Sequence, residues 1–206
     1  MANPVTFIHH QPTLRNIGDE LCSPKHYFVF DTSRDRLAII GGGAYADFGL
    51  KALSAHGFQP DEAVLWGAGR SIRDTFSNLP QVTQLPYLSW GIRDSDALAA
   101  PDHFLPCVSC LHPMLDQPIS GDGTLLFVNA ATRITTNQQK DELRELAQKH
   151  GWQYLQNSCS DAELQAALKA NRRVITNSFH GAYWSLLSGH QVQIIGYSSK
   201  FSSLLR

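Results

Sequence analysis

Several things that commit a chain to a specialised class are scarce here. Four cysteines in 206 residues cannot supply a disulfide framework, and only Cys107 and Cys110 are spaced as a pair. A zinc site draws three or four ligands, usually from two such pairs, and no second pair exists. A thioredoxin-like motif opens a helix, whereas Pro106 and Pro113 frame this pair as a loop. The cysteines read as structural, and no metal is expected. Charge of one sign is also missing: seventeen basic against eighteen acidic residues leave a formal net charge of −1. That excludes a basic field for nucleic acid and a polybasic cluster for anionic lipid. No run of about eighteen apolar residues occurs, so no transmembrane helix is expected. Met1-Ala2-Asn3-Pro4 lacks the regions of a signal peptide, and the expectation is a cytoplasmic protein. Solenoid repeats and low-complexity segments are absent.

What is present is ordinary core material, with 43% hydrophobic and 17% charged residues. The length allows one large domain or two of roughly 100 residues each. Strand, loop and helix alternate along the chain. Strands are expected at Val5 to His9, Leu37 to Ile40, Ala63 to Trp66, Pro86 to Trp90, Leu125 to Asn129, Trp152 to Leu155, Val174 to Asn177 and Gln191 to Gly196. Helical spacing runs from Asp47 to His56, Gln138 to His150, Asp161 to Ala170, past Ser178 to Leu187, and Ser199 to Leu205. The strands up to Trp90 are apolar without alternation, as in parallel sheets covered on both faces. Residues 116–123, with Pro118, Gly121 and Gly123, form the break between halves. The expected fold is α/β: two small Rossmann-like parallel-sheet halves, 1–117 and 118–206, facing a cleft.

Thr176-Asn177-Ser178-Phe179-His180-Gly181-Ala182, directly after Arg173-Val174-Ile175, carries the most information. A buried strand runs without a gap into the first turn of a helix, where backbone N–H groups have no upstream carbonyl and favour anions. Asn177 or Ser178 can serve as N-cap, and the helix dipole adds partial positive charge. His180 then lies within the first turn, where its ring can share an anion with the backbone. Gly181 admits a ligand or a neighbouring strand. The alternative is a capped helix with a half-buried histidine.

Gly41-Gly42-Gly43 and Gly67-Ala68-Gly69 follow strands, at the carboxyl ends where open α/β sheets bind ligands. Neither has the G-x-G-x-x-G spacing of a dinucleotide site, and no cofactor is indicated.

Taken in order, Asn16-Ile17-Gly18-Asp19, Gly41-Gly42-Gly43, Trp66-Gly67-Ala68-Gly69, Gly91-Ile92-Arg93-Asp94 and Thr176-Asn177-Ser178-Phe179-His180-Gly181, then Gly189 and Ser199-Lys200-Phe201, resemble the polysaccharide pyruvyl transferase family. The resemblance implies a glycosyltransferase-B-like fold with phosphoenolpyruvate as donor substrate. It also implies a glycan or lipid-linked saccharide as acceptor, so that peripheral membrane contact is compatible with it. The first half would be the acceptor side and the second the donor-phosphate side. Two features depart from the family: many members carry arginine where this chain has Ser178, and members usually run longer than Arg206.

Ketal formation from an enol phosphate needs protonation of the methylene carbon, stabilisation of an oxocarbenium-like centre and deprotonation of an incoming hydroxyl. His180 can hold phosphate as imidazolium or act as general acid. Arg93 can take a carboxylate or phosphate bidentately, or be a surface arginine paired with Asp94 or Asp96. Arg70 and Arg73 are weaker choices for the same rim. Asp19 is the first choice to activate an acceptor hydroxyl, with an Asx-turn or N-cap near Glu20 as the alternative and Asn16 and Gly18 shaping that turn. His9 and His10 end the first strand and are further choices for acceptor contact. Lys200 closes over the donor phosphate or is simply solvated. The binding set is thus Asn16, Gly18, Gly42, Gly43, Gly67, Gly69, Arg93, Asn177, Ser178, Phe179, Gly181 and Lys200, with His180 and Asp19 catalytic. Two other functions compete. One is a nucleotide-sugar glycosyltransferase, which needs an acidic residue near the last strands that Gln191 to Tyr197 does not offer. The other is a non-catalytic ligand-binding relative.

Overall fold

The computed structural model describes residues 5–44, 48–72 and 81–205. Asp47, where the helix to His56 is expected to begin, and Arg73 fall outside them. The protein is α/β, with two four-stranded, all-parallel sheets, consistent with two Rossmann-like halves. The chain divides into two compact units: Met1–His10, Asp19–His112 and Tyr197–Arg206 in the first, Gln11–Gly18 and Pro113–Gly196 in the second. The chain passes from the first unit to the second after His112, and the expected boundary was placed after residue 117. Two exchanges were not expected: residues 11–18 join the second unit, and residues 197–206 join the first.

In the first unit β1 (Val5–Ile8), β2 (Leu37–Gly41), β3 (Ala63–Ala68) and β4 (Ser89–Ile92) lie in the order β1-β2-β3-β4. The parallel register places Ile8, Ile40 and Leu65 in one row and Phe7, Ile39 and Val64 in the next. Successive side chains of a strand point to opposite faces. The first row packs with Leu53 of α2 (Gly49–Ala55) in the core of the unit. On the other side, Phe7 and Trp66 meet the rings of Phe28 and Phe30 at centroid distances of 5.4–5.8 Å. The short helix α1 (Ile17–Leu21) starts earlier than expected, because the Asn16 side chain, not Asp19, receives a backbone N–H of its first turn, that of Gly18 at 3.1 Å. Past Arg93 the chain makes a single 3-10 turn, Ser95–Ala97.

In the second unit β5 (Gly123–Val128), β6 (Gln153–Gln156), β7 (Asn171–Thr176) and β8 (Gln191–Ile194) take the order β6-β5-β7-β8. The connections run outward from β5 to β6, then return to its opposite side at β7. That reversal is the topological switch point of an open α/β sheet. Helices α3 (Asn137–His150), α4 (Asp161–Ala170) and α5 (Phe179–Leu187) make the crossovers. Thr136 and Ser160 start α3 and α4 with reciprocal capping boxes, closed by Gln139 and Glu163. Gly151, at φ 66°, ends α3 in the left-handed conformation that a side chain resists. Leu126, Val128 and Ala147 form a core with Leu143, Trp152 and Tyr154 around them. β7 starts three residues before the apolar run, at Asn171, whose buried amide donates to Ala167 O and Gln153 Oε1, both at 2.7 Å.

The last helix, α6 (Lys200–Leu204), belongs to the first unit. Ser199 N–H donates to Ile72 O at 3.0 Å, and the hydroxyls of Ser202 and Ser203 donate to Asp96. No helix among the described residues is long and apolar enough to cross a membrane.

Candidate functional site

The junction of β7 and α5 lies beside the switch point, and short polar side chains hold it. Thr176, the last residue of β7, donates its hydroxyl to Phe127 O at 2.6 Å and accepts Ser178 N–H at 2.9 Å. Ser178 is the N-cap of α5, its Oγ accepting Gly181 N–H at 3.3 Å. Asn177, the other possible cap, turns away: its Oδ1 accepts Asn129 N–H at 2.7 Å and its Nδ2 donates to Thr135 Oγ1 at 2.9 Å.

Three asparagines stand at equivalent places, each one residue past its strand: Asn129 after β5, Asn157 after β6 and Asn177 after β7. They span adjacent strands, since β6, β5 and β7 are neighbours. Each amide accepts a backbone N–H from the loops above the sheet: Ala131 on Asn129, Ala130 on Asn157, Asn129 on Asn177. Neither Asn129 nor Asn157 was among the residues expected to matter. The signal is an asparagine immediately after an apolar or mixed strand run, in Phe-Val-Asn, Leu-Gln-Asn and Ile-Thr-Asn.

His180 is the second residue of α5 and is buried, with 6% exposure, rather than half-buried. Phe179 meets its ring edge-on at 5.4 Å and Trp184 lies 5.3 Å away. Gly18 closes another side: a Cβ there would overlap Nδ1, Cγ and Cβ of His180. The sequence reading placed Gly18 in a turn at the other end of the chain, and the fold brings that turn to the histidine within one unit. Gly181 serves its neighbouring strand, since a side chain would strike Phe127 of β5 and Thr176 Oγ1.

Matches to protein-family models, to curated proteins and to solved structures were sought, and none was found. The chemistry of the site rests on its own residues.

The remaining expected site residues lie in the first unit. Arg93, at the end of β4, is buried at 8% exposure rather than paired on the surface, and its guanidinium occupies the space that a Cβ on Gly69 would need. Asp94 is fully buried, and its Oδ2 accepts Arg70 N–H at 2.5 Å. Burial pushes the Asp94 carboxyl up to about 6 against the pull of Arg93. Gly42 (φ 73°) and Gly67 (φ 57°) face Cys22 and the Pro106 carbonyl, so their bare backbone accommodates the chain itself. Gly43 O accepts Gly69 N–H at 2.8 Å, tying the two glycine turns together.

Asp19 is buried in α1, and its carbonyl accepts the Cys22 thiol at 3.1 Å. The thiol is held well above its usual range by burial and by Cys107 beside it. His9 is half-buried, and burial with Lys25 and His26 nearby lowers its pKa. Lys200 Nζ donates to Tyr197 O–H at 2.7 Å and lies over the Tyr197 ring. Among the described residues no three His, Cys, Asp or Glu side chains gather as a metal site.

Proposed function

We propose that this protein is a pyruvyl transferase. It moves the enolpyruvyl group of phosphoenolpyruvate onto a sugar of a bacterial cell-surface polysaccharide or its precursor. The two acceptor hydroxyls add to the enol carbon, the methylene gains a proton to become methyl, and phosphate leaves as a ketal forms. The observation that carries the reading is the Ser178-capped start of α5, with His180 in its first turn, beside the reversal of the second sheet. A helix start offers backbone donors and partial positive charge to a phosphate, and a histidine there can carry or deliver a proton. The ordered motifs of the sequence support the same assignment.

The test is thermal unfolding with millimolar phosphoenolpyruvate, beside pyruvate, inorganic phosphate and UDP, on wild type and His180→Ala. Each protein is compared with its own ligand-free baseline. A ligand at 100 times its Kd adds about 2.7 kcal/mol, so selective stabilisation by phosphoenolpyruvate, lost in the variant, is expected. Stabilisation by UDP instead would replace the reading with a nucleotide-sugar glycosyltransferase. No response to any ligand would overturn donor binding at this junction.

A further inference from the structure

Asn157 spends every polar group it has on one task. Its N–H donates to Val128 O at 3.0 Å and its C=O accepts Ile17 N–H at 2.8 Å. Its Oδ1 accepts Ala130 N–H at 2.8 Å, and its Nδ2 donates to Asn16 Oδ1 at 3.0 Å. The residue is 3% exposed, so water does not compete for these bonds. Because a backbone N–H can only donate, Ala130 fixes which end of the amide is oxygen, and the nitrogen must face Asn16. Asn16 Oδ1 in turn accepts two bonds, from Asn157 Nδ2 and, at 3.1 Å, from Gly18 N–H. Gly18 then lies against His180 with no room for a side chain.

We propose that Asn157 is a positioning residue. It clamps the Asn16–Gly18 turn onto the second unit, and the turn's bare glycine backbone fixes the His180 ring. The consequence for catalysis rests on the donor-site reading above; the positioning itself does not. One bond from its buried side chain, to Asn16, and one from its backbone, from Ile17, hold Gln11–Gly18, a segment otherwise distant in the chain, to this unit, while its other two bonds brace it against Val128 and Ala130. Such a support decides whether a site residue keeps its productive rotamer. Asn157→Asp removes one element of this chain and little else. One carboxylate oxygen still accepts Ala130 N–H, while the other now faces the acceptor Asn16 Oδ1, and the two repel.

The experiment is NMR of the full chain, following the imidazole of His180, assigned by its loss in His180→Gln, and the Gly18 amide. In wild type a nuclear Overhauser contact between the Gly18 α-protons and the His180 ring is expected, and its absence would overturn the proposal without any variant. In Asn157→Asp both signals are expected to shift or broaden while the amides of β5, β7 and β8 hold. Should that variant not fold, Gly18→Ala presses the ring from the other end and is expected to displace the same signals. Unchanged His180 signals in either folded variant would overturn the clamp. Phosphoenolpyruvate is then added. Its Kd is expected to rise about tenfold in Asn157→Asp, the loss of one orienting hydrogen bond. If wild-type His180 does not respond to phosphoenolpyruvate but Asn157→Asp still displaces the ring, the donor reading fails and the positioning role stands. If the donor binds and the ring is indifferent to Asn157, the reverse holds.

Discussion

The two parallel sheets differ in strand order, and they use the ends of their strands differently. In β1-β2-β3-β4 each strand is added beside the last, so successive connections step across the sheet in one direction and none part. The loops there fold back on their own chain: Cys22 fills the space at Gly42, Pro106 meets Gly67, and Arg93 covers Gly69. In β6-β5-β7-β8 the connections leave β5 in opposite directions. Three asparagines brace the loops beside that parting, and α5 begins there with its cap in place. Glycine at a strand end is therefore not in itself a sign of ligand approach. The reversal and its polar bracing single out the second sheet.

The largest expected effect would sharpen this contrast by confining a pH response to the first unit. Asp94 keeps its proton up to about pH 6, whereas an unburied aspartate releases it near 3.8. The folded state then binds the proton more tightly than the unfolded chain between those values. Stability is full below about pH 4, falls as pH rises towards 6 and levels off, a loss of about 3 kcal/mol. Asp94→Asn should abolish this slope in urea titrations from pH 4 to 7. A slope that survives the substitution would assign the proton elsewhere. Hydrogen exchange resolved by residue would show whether the amides of β2 to β4 carry the loss.

Of intermediate size is the cost of closing the space between α5 and β5. Gly181→Ala places a methyl against Phe127 and Thr176 Oγ1, and overpacking of this kind costs about 1–3 kcal/mol. A change near zero by urea unfolding would mean that α5 shifts freely, which would weaken the case for a rigid helix start. The smallest effect belongs to the cap. Ser178→Ala leaves Gly181 N–H without its side-chain acceptor and should cost about 1 kcal/mol. A thermal melt that does not move would show that the first turn of α5 gains little from Ser178.

The fold was largely legible. Apolar runs without alternation marked β2 and β5, which are covered on both faces and have no polar side to show, whereas β8, Gln-Val-Gln-Ile, alternates and exposes its two glutamines. The boundaries slipped where burial is polar or the end is irregular: Asn171 buries an amide before the run begins, and Pro86 to Leu88 precede β4 rather than belong to it. The start of α5 was legible because Ser178 and Gly181 act locally. The partnership of Gly18 with His180 was not, because it joins segments more than 160 residues apart (180 against 18) and no local pattern encodes such a pairing. The burial of Arg93 escaped for a similar reason, as it depends on the absent side chain of Gly69 on the neighbouring loop.

The exchange of segments between the units also bears on how the protein is made. Residues 11–18 belong with 113–196, and residues 197–206 belong with segments that end at His112 or earlier, on the far side of the whole 113–196 stretch. During synthesis the first sheet emerges early, yet its unit stays incomplete until α6 has left the ribosome. Meanwhile the Asn16–Gly18 turn waits for Asn157 before it has anything to bind. The nascent chain thus carries an unfinished first unit until residues 197–206 have been made, and His180 gains its surroundings only after Asn157 has emerged.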